Sequence, residues 1–166
     1  EIARRAAALI RAAGLPVAED GERGYDHGVF VPMLIVDPEA QIPVVMVSLQ
    51  RDLDPAQHIA FGRALAPLRD EGVVIVGSGM SYHDLRHFRD GDGRDAGIFD
   101  AWLAQAAAAA PAERDAALTH WAEAPSGRAC HPREEHLLPL MVTAGAAGDD
   151  LGVRDFADVI GGKAIS

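Results

Sequence analysis

Histidine is the residue type in this chain with the most capacity for chemistry, and it occurs at positions 27, 58, 83, 87, 120, 131 and 136. A neutral imidazole binds metals, and its ordinary pKa near ~6.5 lets it accept and return a proton at neutral pH. His83 follows the apolar run 73–76 and the triplet Gly77-Ser78-Gly79. If that run is a strand of a parallel sheet, His83 lies at the carboxyl edge of the sheet, where ligand sites gather.

The residues around His83 fit such a site. Gly77 and Gly79 allow a tight turn and a close approach of the backbone to a ligand. His87 would share a helical face with His83, but the glutamate of an HExxH zinc motif is absent because Asp84 follows His83. The alternative is that His83 is a surface histidine in a turn.

The other histidines give weaker signals when each is considered alone. His27 stands between Asp26 and a glycine, where a helix cap explains it as well as a functional role does. His131 and His136 are five residues apart, which turns a helix by about 500°, so only one of them is expected to face inward. His136 precedes two leucines and is expected to be that one. Two further histidines are expected on exposed helix faces, His58 and His120.

Several common active-site motifs are missing from the sequence. The Gly77-Ser78-Gly79 triplet is too short for a dinucleotide GxGxxG, no GxxxxGK[ST] phosphate loop occurs, and Val76 replaces the first glycine of a GxSxG elbow. A single cysteine, Cys130, excludes an internal disulfide and a cysteine-based zinc cluster. Its neighbour His131 does not by itself indicate a catalytic dyad, and a Ser/His/Asp hydrolase is unsupported.

The composition limits the partners of the protein. The formal charge of −10 argues against binding to nucleic acid or to an anionic membrane surface, since both need clustered Lys and Arg. No apolar run approaches the ~20 residues of a membrane helix, and the first segment lacks the apolar core of a signal peptide. The lone cysteine makes a reducing, cytoplasmic setting the default expectation.

Two apolar runs predict the fold class. Residues 42–49 and 73–79 are rich in β-branched residues and flank a helix that Asp54-Pro55 is expected to begin. Two strands joined by such a helix form a right-handed βαβ unit. We therefore predict a single α/β domain with a mostly parallel central sheet flanked by helices.

The remaining segments are mostly helical by pattern. Helices are expected at the N-terminus, in the apolar stretch 29–36, on both sides of Pro111 and from Pro132 onward, with a short strand at 15–20 and an edge strand near the C-terminus. The stretch 29–36 is uniformly apolar and is expected to be buried. The chain begins within a helix and without methionine, so we expect it to be part of a longer protein.

Three stretches of the chain resemble the type III extradiol ring-cleavage dioxygenases, namely "GYDHGVFVPMLIVDPEAQIPVVMVSL", "LRDEGVVIVGSGMSYHDLR" and "HPREEHLLPLMVTAGAAG". They are most similar to the LigB-like branch, which includes the single-domain DOPA dioxygenases. The resemblance implies a non-haem Fe(II) enzyme that cleaves a catechol ring beside its hydroxyl pair with O2, giving a ring-opened semialdehyde. Zinc in place of iron is also implied, because some DOPA-type relatives contain it.

The resemblance also implies roles for individual residues. His83 matches the acid/base histidine beside the metal, and His27 matches a second catalytic histidine that contacts the substrate hydroxyl or bound oxygen. His136 matches a metal-site position, with Glu134 and Glu135 left open as carboxylate ligands. Tyr25 and Tyr82 are expected to bind the substrate, and specificity is expected from the loops around them and Arg86 together with residues N-terminal to this chain.

The sequence departs from the family pattern in one respect. The HGSP-like and AHW-like motifs that carry the first two metal histidines are absent, since the one His-Gly pair, His27-Gly28, is followed by Val29. The resemblance therefore implies that residues 1–166 are the C-terminal part of one catalytic domain, incomplete at the N-terminus. We expect such a fragment to bind metal poorly by itself.

Two other functions remain open from the sequence. One is a non-catalytic metal- or ligand-binding protein on the same fold, because fold similarity does not establish activity. The other is a zinc-dependent hydrolase that would retain zinc and consume no O2. A single chain and a homo-oligomer are both compatible with the sequence.

Overall fold

The computed structural model describes residues 1–166, which form eight α-helices, one 3₁₀ turn and two short strands. The helices are α1 (Ile2–Ala12), α2 (His27–Val36), α3 (Pro55–Leu65), α4 (Pro67–Asp70), α5 (Arg94–Ala108), α6 (Pro111–Thr119), α7 (Gly127–Cys130) and α8 (Leu138–Ala147). The 3₁₀ turn is Trp121–Glu123, and the strands are β1 (Asp158–Ile160) and β2 (Lys163–Ile165). None of the helices has the length and apolar character needed to cross a bilayer.

Two aspartates begin the helices that the sequence predicts. The Asp54 side chain accepts a hydrogen bond from the Gln57 amide at 3.1 Å, and Pro55 opens α3. The Asp26 side chain accepts one from the Gly28 amide at 3.0 Å, so the cap predicted beside His27 is present. Each cap satisfies an amide that the first turn of a helix leaves without a partner.

Helices α3 and α8 are packed with their backbones in contact. A Cβ atom placed on Gly62 would lie 1.9 Å from the Val142 carbonyl oxygen, and one on Gly145 would lie 2.0 Å from the Ile59 carbonyl oxygen. Only glycine permits this approach, so the two contacts fix the position of α8 along the axis of α3. The position of the α8 N-terminus, and of the turn before it, follows from this contact.

The hydrophobic core lies on both sides of this helix pair. One cluster joins the α3–α8 pair to α5, α6 and the 3₁₀ turn, and its fully buried members include Phe99, Leu118, Trp121, Leu138 and Met141. A smaller cluster places α1 against α3 and α4 through Ala6, Ile10, Phe61, Leu65 and Leu68.

The mostly parallel central sheet is not confirmed. Segments 42–49 and 73–79 are extended, but no backbone hydrogen bond joins them, and the sheet that is present is the antiparallel β1–β2 hairpin. Val73 and Ile75 pack against the smaller core cluster, while Val74 and Val76 are 84% and 76% exposed. The side chains therefore alternate between buried and exposed as in a strand. Residues 1–166 contain no neighbouring strand with which this segment forms a ladder of hydrogen bonds.

Other local predictions need correction. Helix α2 forms, but it has no buried residue, and Leu34, Ile35 and Val36 are exposed because no element covers them. The helix expected from Pro132 begins only at Leu138, after a turn. Residues 15–20 form no strand. The predicted C-terminal edge strand is confirmed as a hairpin, whose turn contains two adjacent glycines at positive φ.

Two histidines are more deeply buried than expected. His58 is 1% exposed rather than surface-exposed, because its Nδ1 donates to the Asp54 carbonyl at 2.6 Å and its Nε2 accepts from the Gln50 amide at 3.1 Å. His131, not His136, is the fully buried member of its pair. The pKa of His131 is lowered to about 4, chiefly by burial and also by His83 and His136, whereas a backbone hydrogen bond to Ser81 and the charge of Glu135 oppose the shift.

Replacing Gly145 with alanine is expected to reduce the free energy of unfolding by about 1–3 kcal/mol, because the added methyl group overlaps the Ile59 carbonyl oxygen. Gly97 is the matched control, since it lies in α5 with no atom within 4 Å of its Cβ position. Gly97→Ala is expected to increase stability by about 0.5–1 kcal/mol. Urea denaturation measures both changes, and equal stability of the two variants would contradict contact between the α3 and α8 backbones.

The stability of the protein is expected to decrease in acid partly through His131. Its pKa is near 6.5 in the unfolded chain and about 4 in the fold, so protonation favours unfolding as the pH decreases through that interval. Full stability is present above the unfolded pKa, and the His131 contribution decreases by about 1–2 kcal/mol between pH 7.5 and 5.5. Urea denaturation at both pH values measures the change. A His131→Gln variant with the same pH dependence as the wild type would contradict the assignment.

Candidate active site

Three separate segments bring polar side chains together. His27 is the first residue of α2, His83 follows the extended segment 73–79, and Glu135 and His136 lie in the turn before α8. One ligand atom from each of His83, Glu135 and His136 lies within 4.8 Å of the others. The sequence separates these groups by more than fifty residues, so only the tertiary fold assembles the site.

The two glycines that precede His83 explain part of this assembly. A Cβ atom on Gly77 would lie 2.5 Å from the Pro139 carbonyl oxygen, and one on Gly79 would lie 2.2 Å from the His136 carbonyl oxygen. The close approach predicted for these glycines is therefore to the backbone at the start of α8. The Met80 amide then donates to the His136 carbonyl at 3.0 Å.

The histidine rings form a compact group. His83 stacks on His136 with ring centroids 3.5 Å apart and an interplanar angle of 17°. His27 Nε2 lies 3.5 Å from His136 Nε2. His136 is thus the central ring, with His83 against its face and His27 at its edge.

Glu135 adds negative charge to the group. Its Oε1 lies 3.8 Å from His83 Nδ1 and 3.5 Å from His136 Nδ1. Glu134 instead pairs with Arg128 at 2.7 Å. Of the two glutamates left open by the sequence, Glu135 is therefore the one beside the histidines.

The environment favours a neutral His83 imidazole. Its side chain is only 14% exposed, and burial is the main cause that lowers its pKa, followed by the positive charge that His136 can carry. Glu135 and Asp84 oppose this shift more weakly. A neutral ring can accept a proton at neutral pH.

Two buried atoms in the group lack hydrogen-bond partners. They are His136 Nδ1 and Glu135 Oε2. Arg133 Nε lies 3.4 Å from Glu135 Oε2 without the geometry of a hydrogen bond. Buried polar atoms are rarely left without partners, and a set of imidazole and carboxylate donors suits a divalent transition metal. The residues present therefore fit a metal ion.

The two tyrosines lie in different environments. The Tyr25 hydroxyl donates to the Val44 carbonyl at 2.7 Å, and its ring is half exposed near the start of α2. Tyr82 is 4% exposed and packs against Phe88, with ring centroids 6.0 Å apart. The structure thus leaves the Tyr25 ring accessible and encloses the Tyr82 ring in the core.

Sequence reasoning missed the role of Asp84. This carboxylate is buried, accepts a hydrogen bond from His87 Nδ1 at 2.7 Å and accepts another from the Arg86 amide at 3.1 Å. The hydrogen bond from His87 is the main cause that lowers the pKa of Asp84. Arg86 and His87 therefore cluster around Asp84, next to the site. The His-Asp-x-x-His spacing was the available signal, since it places a carboxylate between two imidazoles.

Cys130 is not a candidate nucleophile. Its thiol is completely buried, and burial raises its pKa to about 12. The thiolate needed for reaction is therefore absent at neutral pH. This agrees with the absence of a dyad signal in the sequence.

Comparison with known proteins identifies relatives. Residues 1–161 match the family described as "Catalytic LigB subunit of aromatic ring-opening dioxygenase". The chain is 40% identical over 154 residues to a 4,5-DOPA dioxygenase extradiol of Beta vulgaris, covering 90% of this chain and 57% of the relative. It is 42% identical over 154 residues to that of Portulaca grandiflora, covering 90% and 56%. The chain thus spans little more than half the length of these relatives.

A solved structure supports the same relationship. The fold superposes with a TM-score of 0.86 on a crystal structure described as uncharacterized protein JW3007 from Escherichia coli K12, at 29% sequence identity. The match covers 99% of this chain and 70% of that chain. Together with the family match over 1–161, this confirms the resemblance predicted from the three sequence stretches. The chain belongs to the LigB family of aromatic ring-opening dioxygenases.

Proposed function

We propose that this chain serves extradiol cleavage of a catechol-type ring by O2, giving a ring-opened semialdehyde. The observation that carries the proposal is the His83 ring stacked at 3.5 Å on His136, with His27 and Glu135 at its edges. Such a group combines a proton acceptor, a second hydrogen-bonding imidazole and metal-binding donors in one place. Family membership adds to this support.

His136 and Glu135 would hold the metal, which we propose to be Fe(II), with zinc as the alternative occupant. Their partnerless Nδ1 and Oε2 atoms support these roles. When bound, Fe(II) would supply the redox chemistry that couples the catechol to O2. The rest of the mechanism concerns what the side chains do.

His83 would act as the acid/base. Its Nδ1 faces Glu135 at 3.8 Å, which leaves Nε2 as the nitrogen for the substrate. Nε2 of the neutral imidazole takes a proton from one catechol hydroxyl. It returns this proton later, as the aromatic ring of the substrate opens. Burial of His83 supports this role, because it keeps the imidazole unprotonated before the substrate binds.

His27 would contact the second hydroxyl of the substrate. It stands at the first turn of α2, whose amides carry partial positive charge and stabilise a developing negative charge on oxygen. Its Nε2, 3.5 Å from His136 Nε2, is close enough to share a small ligand with the central ring.

The substrate would be a small catechol. DOPA, which names the relatives from Beta vulgaris and Portulaca grandiflora, is the first to assay. Tyr25 would contact the substrate through its half-exposed ring. Tyr82, enclosed beside Phe88, would support the His83 segment from the core.

Residues 1–166 would form the C-terminal part of one catalytic domain, in which 42–49 and 73–79 are strands of a mostly parallel sheet. Exposed apolar side chains on these segments and on α2 support this, because such a surface is costly to leave in water. They include Val45, Val47, Val74, Val76 and Ile35. Two further metal histidines would come from the part that covers this surface.

His83→Ala is expected to lower the rate of ring cleavage by about 10²–10⁴-fold, because the proton acceptor is lost. His120→Ala is the matched control, since His120 is exposed and lies near Glu123 rather than in the histidine group. The full-length gene product is loaded anaerobically with Fe(II), and O2 consumption and the yellow semialdehyde are followed. Unchanged turnover in His83→Ala would contradict the acid/base role. No O2 uptake by the wild type with any catechol would favour the binding protein or the hydrolase.

Glu135→Gln is expected to weaken zinc binding by more than about 10-fold, since losing even an outer partner of a metal site costs about 10–100-fold in affinity. Glu134→Gln is the control, because Glu134 pairs with Arg128 outside the group. Zinc serves as a redox-silent probe, and calorimetry of the full-length protein measures its affinity. Equal zinc affinity in both variants would remove Glu135 from the ligand set.

A further inference from the structure

His131 lies behind the candidate active site and has no role in the proposed chemistry. It is fully buried, and its Nε2 lies 3.0 Å from the Ser81 carbonyl oxygen. A carbonyl oxygen can only accept, so Nε2 carries the proton and donates. Nδ1 is buried without a partner.

The surrounding side chains fix this ring. Phe99 and Trp121 contact it edge-on, with ring centroids at 5.4 Å and 6.0 Å. Its low pKa of about 4 keeps the ring neutral, which leaves a single ring proton. With that proton on Nε2, the ring has one hydrogen bond to donate, and Ser81 accepts it.

This hydrogen bond lies between two backbone hydrogen bonds that join the same two segments. The His83 amide donates to the Cys130 carbonyl at 2.8 Å, and the Met80 amide donates to the His136 carbonyl at 3.0 Å. Residues 80–83 are thus connected to 130–136 at three points. Among these three hydrogen bonds, the one from His131 is the one that a side chain donates.

We propose that His131 is a positioning residue, whose Nε2–H holds the Ser81 carbonyl so that the His83 ring remains stacked on His136. The Ser166 amide also donates to the Ser81 hydroxyl at 2.9 Å, but that contact leads to the C-terminal strand and not to the segment that carries His136. Without the His131 hydrogen bond, residues 80–83 would be joined to the backbone of 130–136 by two hydrogen bonds alone, and the His83 ring would gain freedom to leave the stack. The effect on catalysis rests on the proposed function. Displacement of a catalytic group by ~1 Å can reduce the rate about 100-fold.

Three variants of the full-length protein test the proposal. His131→Gln keeps an amide donor at the reach of Nε2, His131→Asn is one methylene shorter, and His131→Leu has no donor. His120→Gln changes an exposed histidine and serves as the control. We expect kcat to decrease about 10–100-fold in the Asn and Leu variants with little change in KM, and to recover largely in the Gln variant.

A spectroscopic readout separates positioning from simple stability. Stacking at 3.5 Å shifts the ring-proton NMR signals of His83 upfield, and this shift is expected to disappear in the Asn and Leu variants and to remain in the Gln variant. If His131→Leu does not fold, the Asn and Gln variants still form a matched pair. Equal His83 shifts and equal kcat in these two variants would overturn the proposal, even if both are less stable than the wild type.

The wild type provides a test that needs no variant. Nitrogen-15 NMR of the histidine rings is expected to find the proton of His131 on Nε2 at neutral pH. A proton on Nδ1, or an imidazolium, would overturn the proposal. If the His83 shift depends on residue 131 but no catechol is turned over, positioning stands and the proposed function fails.

Discussion

The candidate site depends on one backbone contact, between the segment that leads into His83 and the turn that leads into α8. Gly77 and Gly79 lie so close to the Pro139 and His136 carbonyl oxygens that a Cβ on either would overlap them. Because α8 is itself fixed by the glycine contacts with α3, the turn has little freedom to move. The contact explains why His83 and His136, which are far apart in sequence, can stack at 3.5 Å.

The same contact sets the electrostatics of the site. Placing His83 against His136 removes water from both rings and lowers the pKa of His83, while Glu135 supplies a nearby negative charge. Burial disfavours the charged form of the His83 imidazole and therefore favours the neutral form, which is the one that accepts a proton. The buried polar atoms without partners on His136 and Glu135 belong to the same group of side chains. Such arrangements cost stability and are common at functional sites.

The sequence predicted those features that depend on local chemistry. Asp26 and Asp54 mark helix starts, Pro111 begins α6, and the glycines before His83 mark a close approach. The sequence did not predict which residues the glycines approach, because a glycine indicates a close contact but not the residue that makes it. The burial of His58 and His131 was missed for the same reason, since a satisfied core histidine and an exposed one look alike in sequence. The β-branched runs 42–49 and 73–79 have the alternation of strands, but pairing is a long-range property that needs a partner.

We propose that this site supports cleavage of a catechol ring outside its hydroxyl pair, with both atoms of O2 entering the product. The most direct measurement incubates the Fe(II)-loaded, full-length protein with DOPA under ¹⁸O2, followed by mass spectrometry and NMR of the product. The expected product is a semialdehyde opened beside the hydroxyl pair, and it contains two labelled oxygens when it is trapped before exchange with water. A product opened between the hydroxyl-bearing carbons, or one whose new oxygen comes from water, would contradict it.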